Sequence, residues 1–207
     1  MRLQWSHFMA NCRISLVALL LFAGNSVVFA LQDSKGTPNS RIRIVPQSSD
    51  GLMTGLEENR SGTRLVTSNQ FQLPRLWDSK RQILLSVLDG HVDLIGDVKF
   101  SESGEVVITQ SMDRVRIWDS LRGNLISEYV SPPDDLWTCV SYSPSSDHVV
   151  IGSMLGKVYL GQRQGGALIQ IASEPKNRVN CLSFSNDGKL LSIGRENGGD
   201  VFLFNSK

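Results

Sequence analysis

The sequence repeats itself with a period of 42 residues, and this period restricts the fold more than any other feature. A turn that follows a short aromatic-serine segment ends at Gly104, Ser146 and Gly188, each 42 residues after the last, and Gly62 lies one period earlier. Periods of about 20 to 50 residues are typical of solenoids and propellers, whose units bury their cores only against neighbours. The chain therefore predicts four copies of one structural unit.

Each copy contains short apolar runs that are typical of β-strands. Two runs flank the turn, a third lies at residues 76–78, 114–119, 157–162 and 200–205, and a fourth lies at 82–87, 124–129 and 167–171. In the second copy Val115 and Ile117 alternate with arginines, which indicates a strand with one face against a neighbouring sheet. The predicted fold class is all-β: a β-propeller of about four blades, each a four-stranded antiparallel sheet.

The predicted propeller covers residues 41–207, and its boundaries leave its closure open. The repeats cover approximately residues 52–93, 94–135, 136–177 and 178–207. The last repeat has only three runs, so the strand-like segment 41–45 is predicted to supply its outer strand, because an unpaired sheet edge promotes aggregation. Three arrangements remain open: four blades that close alone, two chains that pair as a homodimer into one larger ring, and a partial propeller or fragment of a longer one.

Residues 1–30 have the composition of an export signal. They contain Arg2 and Arg13 but no acidic residue, then an apolar run, and they end in a small-residue cleavage pattern at Ala30. The apolar run is shorter than the ~20 residues that span a bilayer, and an uncleaved membrane anchor is the alternative. We therefore predict a signal peptide cut after Ala30, a polar linker over 31–40, and a secreted or periplasmic protein without a stable membrane span.

The charge balance argues against a nucleic-acid partner. The chain has 21 Lys and Arg against 20 Asp and Glu, so no overall positive field attracts phosphates. Hydrophobic residues make up 41% of the sequence, which is enough for a sizeable core. The composition is therefore that of a folded protein whose partners are not selected by net charge.

The second copy resembles the repeats of the WD40 family of β-propellers. It reads Gly90-His91, then Val98-Lys-Phe-Ser, then Thr109-Gln-Ser-Met-Asp113, then Trp118-Asp119. In that family a loop His, a strand Ser or Thr, a turn Asp and a strand Trp form a hydrogen-bonded tetrad. Carried over by position, the resemblance implies a structural tetrad of His91, Ser111 or Thr109, Asp113 and Trp118.

The resemblance covers about residues 52 to 207, but the other copies depart from the motif. The first keeps Trp77-Asp78 and lacks the Gly-His pair, the third has Gly161-Gln162 in place of Trp-Asp, and the fourth has Phe204-Asn205. Only the second blade is therefore expected to contain a complete tetrad. We expect the other blades to rely on packing.

No catalytic residue, metal ligand set or cofactor is assigned from the sequence. No His, Cys or carboxylate cluster has metal-ligand spacing, and the Gly-rich segments are not followed by helical periodicity. Cys139 and Cys181 lie one period apart, and a sheet separation of ~10 Å favours two buried free thiols over a disulfide. Trp137 is expected in the core, and His148 is expected to be a partly buried strand residue.

Loops that enter the inner strands lie on one face of a propeller, where partners usually bind. The candidate partner-binding residues in these loops are His91, Asp93, Asp134, Asp135, Lys176 and Arg178. We therefore predict a non-catalytic protein–protein interaction scaffold that acts outside the cytoplasm on protein partners of unknown identity. The alternative is a secreted propeller enzyme, or an accessory domain to a cofactor-dependent enzyme, for which Asp97 is the one carboxylate at its inner-strand position.

Overall fold

A computed structural model describes residues 21–22, 27–31, 40–42, 53–69 and 72–203. Throughout these ranges all regular elements are strands, and no helix among them is long and apolar enough to cross a membrane. The chain divides into two compact units, Met1–Asp50 and Gly51–Lys207. The all-β prediction is confirmed.

The first unit contains three short strands. They are β1 (Leu21–Phe22), β2 (Val27–Leu31) and β3 (Ser40–Ile42), which form an antiparallel sheet in the order β1-β2-β3. Most of the predicted signal peptide and linker lies outside the described residues. Cleavage after Ala30 and export therefore stay predictions.

The second unit consists of four sheets whose strands follow one another in chain order. Blade 1 contains β4 (Met53–Glu58), β5 (Arg64–Asn69), β6 (Gln72–Asp78) and β7 (Ile83–Val87). Blade 2 contains β8 (Ile95–Phe100), β9 (Val106–Ser111), β10 (Arg114–Asp119) and β11 (Leu125–Val130). Blade 3 contains β12 (Trp137–Tyr142), β13 (His148–Ser153), β14 (Lys157–Gln162) and β15 (Ile169–Ser173). Blade 4 contains β16 (Val179–Phe184), β17 (Leu190–Arg195) and β18 (Gly198–Leu203).

All strand pairs within the blades are antiparallel, and the turns recur at equivalent positions. Gly62, Gly104 and Gly188 have φ values of 63°, 74° and 70°, a backbone conformation that favours glycine. The repeated turn found in the sequence therefore has a direct conformational cause. The predicted four-stranded antiparallel blades are confirmed.

Apolar cores lie between blades, because each sheet packs one face on the next sheet. The first strands of neighbouring blades contact each other in turn, β4 with β8, β8 with β12 and β12 with β16. Between blades 2 and 3, for example, Ile108 and Ile117 pack against Val140 and Ile151, and Trp137 is 1% exposed in the same cluster. Similar clusters join blades 1 and 2 and blades 3 and 4. The expected core position of Trp137 is confirmed.

Polar side chains one period apart also connect the first strands of neighbouring blades. The Glu57 carboxylate accepts a hydrogen bond of 2.6 Å from the backbone N–H of Phe100 in blade 2. At the equivalent position in blade 2, the Lys99 ammonium donates to the backbone carbonyl of Val140 in blade 3 at 2.9 Å. The same site on successive blades thus uses an acceptor and then a donor to reach the next strand.

A tyrosine from blade 2 occupies the space that a tryptophan would need in blade 3. A Cβ on Gly161 would lie 2.6 Å from the Tyr129 ring, so a side chain at position 161 and the tyrosine ring at position 129 exclude each other. The Tyr129 hydroxyl donates to the carbonyl of Gln162 at 2.6 Å and accepts from its N–H at 2.7 Å. Blade 3 therefore replaces the Trp-Asp packing with a ring supplied by its neighbour.

Blade 4 has three strands in the described part of the chain, and one of its faces lacks a covering blade there. Val201 is 67% exposed, whereas Val158 at the same position of blade 3 is fully buried. Cys139 and Cys181 are both free, as predicted, but Cys181 is exposed because its face is not covered. The expectation that both thiols are buried is wrong for Cys181.

The structure describes only part of segment 41–45, the predicted closing strand. Residues 40–42 pair with β2 in the first unit, Arg41 opposite Ala30, and residues 43–45 lie outside the described residues. A strand from this segment at the edge of blade 4 therefore stays a prediction. Pairing of two chains into a larger ring likewise stays a prediction.

Tyr129 gives a test of the inter-blade packing. Tyr129→Phe should lower the free energy of unfolding by about 1–2 kcal/mol, because the N–H and carbonyl of Gln162 lose their partner. Tyr129→Ala should cost about 3–5 kcal/mol, since it also leaves a cavity beside Gly161. Urea unfolding measures both. Tyr159→Phe is the matched control, because no hydrogen bond of its hydroxyl is found among the described residues, and an equal loss in that control would contradict the assignment.

Candidate functional site

The four predicted tetrad residues meet in blade 2, and a fifth residue joins them. The Trp118 indole N–H donates to the Thr109 hydroxyl at 2.8 Å, and Thr109 lies 2.6 Å from His91 Nε2. His91 Nδ1 lies 3.0 Å from the Ser111 hydroxyl, which donates to the Asp113 carboxylate at 2.7 Å. Both alternatives for the strand hydroxyl are therefore used, and the tetrad is a chain of five groups.

Burial sets the protonation state of His91. The side chain is 8% exposed, and burial is the main cause that lowers the pKa of His91 to about 4 from 6.5, with the nearby Arg116 guanidinium contributing. A neutral imidazole has one donor and one acceptor nitrogen, which suits two hydroxyl partners. Within this arrangement His91 is a structural residue.

Blade 1 keeps part of the tetrad, and blade 4 uses a different residue at one of its positions. In blade 1 the Trp77 indole N–H donates to the Thr67 hydroxyl at 3.0 Å, which reproduces the Trp–Thr pair. In blade 4 Arg195 stands where Ser111 stands in blade 2. Its side chain is 2% exposed, and it lies within 3.2 Å of the Glu174 and Asp200 carboxylates. Arg195 also donates to the carbonyl of Gly156 at 2.8 Å, which ties the loops of blades 3 and 4.

The candidate partner-binding residues divide into two groups. His91 and Asp135 are buried, at 8% and 5% exposure. Asp135 accepts hydrogen bonds from the backbone N–H groups of Leu136 at 2.9 Å and Leu155 at 3.1 Å, so it orders the loop. The side chains of Asp93, Asp134, Lys176 and Arg178 are exposed, and Asp93 also accepts a hydrogen bond of 2.7 Å from the backbone N–H of Leu94.

Three loop positions recur in blades 2 to 4 and together form an exposed surface. We call it the loop face. The position before the first strand is Leu94, Leu136 and Arg178, and the position two residues earlier is Val92, Asp134 and Lys176. The position after the second strand is Met112, Met154 and Glu196.

Backbone hydrogen bonds hold these loops together. The N–H of Met154 donates to the carbonyl of Leu136 at 2.8 Å, and at the same place in blade 4 the N–H of Glu196 donates to Arg178 at 3.0 Å. The N–H of Trp137 donates to the carbonyl of Met112 at 2.8 Å, which joins the loops of blades 2 and 3. The loop face therefore has a fixed backbone.

Apolar side chains dominate the loop face at blades 2 and 3. The exposed fractions are 87% for Val92, 43% for Leu94, 46% for Met112, 37% for Leu136 and 38% for Met154. Sequence reasoning selected only the charged loop residues. The signal for the apolar ones was present, because these positions keep the 42-residue period, but their exposure depends on the fold.

The inner-strand carboxylate Asp97 is part of a charged group that the sequence did not reveal. It lies 3.1 Å from the Lys99 ammonium, and burial raises the pKa of the neighbouring Glu57 to about 7. Among the described residues no group of three or more His, Cys, Asp or Glu is placed to hold a metal ion. His148 lies in β13 and is partly buried, as predicted.

The tetrad gives a pH prediction. Because the His91 pKa is lowered to about 4 in the folded chain, the unfolded chain binds the proton first, and stability falls as the pH drops from about 6.5 to 4. The loss attributable to His91 is about 3 kcal/mol. Glu57 acts oppositely in an overlapping range, because its raised pKa makes stability fall as the pH rises towards 7.

The His91 contribution is therefore read as the difference between wild type and His91→Asn in urea unfolding at several pH values. The variant should lose most of the acid-side decline, and NMR titration of the wild-type imidazole should show no protonation above pH 5. Parallel pH curves for the two proteins would contradict the assignment.

Comparisons with known proteins agree with the blades and the tetrad. The family profile "WD domain, G-beta repeat" matches residues 82–119, and the "Anaphase-promoting complex subunit 4 WD40 domain" profile matches residues 140–207. The first match contains all five residues of the tetrad chain.

Similar curated proteins cover more of the chain. Autophagy-related protein 16 of Arabidopsis thaliana is 29% identical over 128 residues, which are 60% of this chain and 25% of that protein. Pre-mRNA-processing factor 19 homolog 2 of the same plant is 24% identical over 178 residues, 84% of this chain and 31% of the relative. Echinoderm microtubule-associated protein-like 4 of Homo sapiens is 24% identical over 195 residues, 93% of this chain and 19% of the relative. The chain thus spans less than a third of each of these relatives.

A solved structure also resembles the fold. The crystal structure of the computationally designed Ika4 protein superposes with a TM-score of 0.62 at 19% identity, over 75% of this chain and 93% of that one. At this identity the likeness concerns the fold alone. The four-stranded blades, the tetrad of blade 2 and the two profile matches together make the chain similar to proteins of the WD40 β-propeller family.

Proposed function

We propose that this protein is a non-catalytic interaction scaffold that binds a protein partner through the loop face of blades 2 to 4. The observation that carries the proposal is the exposure of five large apolar side chains at recurring loop positions of blades 2 and 3, namely Val92, Leu94, Met112, Leu136 and Met154. Large exposed apolar surfaces mark interaction sites in soluble proteins. Methionine is also enriched at protein interfaces, where its flexible side chain adapts to a partner.

The rigid backbone beneath these side chains favours binding. The loops are held by inter-blade hydrogen bonds and by the buried carboxylate of Asp135, so a partner meets a surface that is already ordered. A preorganised surface loses less conformational entropy on association. The tetrad and the inter-blade cores thus support the site without being part of it.

The charges of the loop face favour a protein over a nucleic acid. Exposed Asp93 and Asp134 lie on the same face as exposed Lys176 and Arg178. Phosphate backbones bind to surfaces of consistently positive charge. A mixed rim around an apolar centre instead matches the anatomy of protein interfaces.

Glu57, His91 and Lys99 have structural uses, which supports a non-catalytic role. Lys99 holds Asp97 and the carbonyl of Val140, and Glu57 holds the backbone of blade 2. His91 is neutral and satisfied by two hydroxyls. Each of these groups has a bonding role between or within blades that needs no substrate.

We also propose that the protein acts outside the cytoplasm, after export directed by residues 1–30. The support is the acid-free N-terminal segment with its apolar run and small-residue end at Ala30. Expression of the full chain, followed by fractionation and N-terminal sequencing, tests this. The expected product begins at Leu31 in the exported fraction, and an intact Met1 on soluble cytoplasmic protein would overturn the proposal.

Substitution of the apolar centre tests the interaction surface. Leu136→Ser combined with Met154→Ser should lower partner recovery in a quantitative pull-down about tenfold or more, since buried apolar anchors carry most interface energy. Ile169→Ser is the matched control, because Ile169 is 62% exposed on the outer strand of blade 3. Thermal unfolding of all variants should match wild type. Equal partner recovery by wild type and the double variant would exclude the loop face as the binding surface.

A further inference from the structure

The loop face changes character at blade 4, although its backbone does not. The pair Leu136 and Met154 of blade 3 becomes Arg178 and Glu196 in blade 4, with the same N–H to carbonyl bond between the two loops. The third recurring position becomes Lys176, which is exposed. An apolar surface over blades 2 and 3 therefore continues into a charged surface on blade 4.

The acidic residues near Lys176 and Arg178 of blade 4 pair with a different cation. Glu174 and Asp200 both lie within 3.2 Å of the buried Arg195 guanidinium and pair with it. No ion pair involving the Lys176 or Arg178 side chain occurs in the described part of the chain, and Glu196 is the exposed acid at the loop-face positions of blade 4. The three loop-face positions of blade 4 thus present two cations and one anion.

The turn that carries Lys176 has a defined shape. Lys176 has φ of 65°, and the N–H of Asn177 donates to the carbonyl of Glu174 at 3.2 Å. The Asn177 side-chain oxygen also accepts the N–H of Asn197 at 2.9 Å, which connects this turn to the next loop of blade 4. The position from which the Lys176 side chain leaves the surface is therefore fixed.

From this arrangement we propose that the partner is an extended protein segment with apolar side chains at one end and carboxylates at the other. The apolar side chains lie on blades 2 and 3, and the carboxylates pair with Lys176 and Arg178 of blade 4. The inference rests on the proposed function and adds the chemistry of the partner and the blade on which each end of it lies. Asp93 and Asp134 favour this orientation of the segment, because their negative charges repel its acidic end from blades 2 and 3.

The length of the segment follows from the spacing of the blades. Stacked sheets lie ~10 Å apart, so two blade steps cover ~20 Å. An extended chain rises ~3.3 Å per residue, so about six residues reach from blade 2 to blade 4. The recognised sequence is accordingly a short one, with apolar residues separated from the carboxylates by a few positions.

A random library of 12-residue displayed peptides, selected on the immobilised full chain, tests this chemistry. Enriched peptides should contain two or more large apolar residues with Asp or Glu on one side of them within six positions. A synthetic peptide from this set should bind at least tenfold more tightly than its counterpart with Lys in place of the acids. Lys176→Glu combined with Arg178→Glu should remove or reverse that preference.

The matched control is Arg122→Glu combined with Lys189→Glu, which reverses two exposed charges at turns on the opposite end of the strands. This control should retain the wild-type preference, and the unfolding temperature of both variants should equal that of wild type. Enriched peptides that need Leu136 and Met154 but bind equally with Lys or Glu would overturn this inference and leave the proposed function standing. Enrichment no greater than on the Leu136→Ser, Met154→Ser protein would overturn both.

Discussion

The packing of each sheet on the next is the interaction on which the rest of the structure depends. A single four-stranded sheet of this size has two faces and buries neither alone, so the apolar clusters form between blades rather than inside them. Residues at one position of the repeat therefore have the same neighbours in successive blades. The uncovered face at Val201 shows the converse, since the same position without a neighbouring sheet is largely exposed.

Polar contacts align the blades once the cores hold them together. Glu57 and Lys99 reach the next first strand with opposite hydrogen-bonding roles, and Arg195 ties the loops of blades 3 and 4. The chain from Trp118 to Asp113 fixes the loop of blade 2 from beneath, and Asp135 does so in blade 3. These buried groups form bonds within the scaffold, and the exposed loop side chains are the ones that remain for a partner. The scaffold function follows from this division between buried polar groups that order loops and apolar groups that the loops expose.

Where the copies diverge, groups of the neighbouring blade or strand compensate for the changed residue. Gly161 departs from the Trp-Asp pattern, yet the Tyr129 ring fills its space and satisfies the backbone of Gln162. Arg195 departs from the Ser111 position, yet two carboxylates and a carbonyl accept its donors. Each blade therefore meets the same requirement with different residues. The same tolerance lets the loop face change from apolar at Leu136 to charged at Arg178 without altering its backbone.

Periodicity in the sequence determined the strand count, the antiparallel blades and the burial of Trp137, because each depends on position within one repeat, and the resemblance of the second copy to WD40 repeats supplied the tetrad residues. Tertiary structure alone decided what depends on contacts between repeats. The exposure of Cys181 follows from which sheet covers which face, and the Tyr129–Gly161 replacement joins residues of different blades. The loop face lies between these cases. Its positions keep the 42-residue period and can be read from the sequence. Which of its side chains are exposed depends on packing against the next blade, and the sequence pattern does not contain that information.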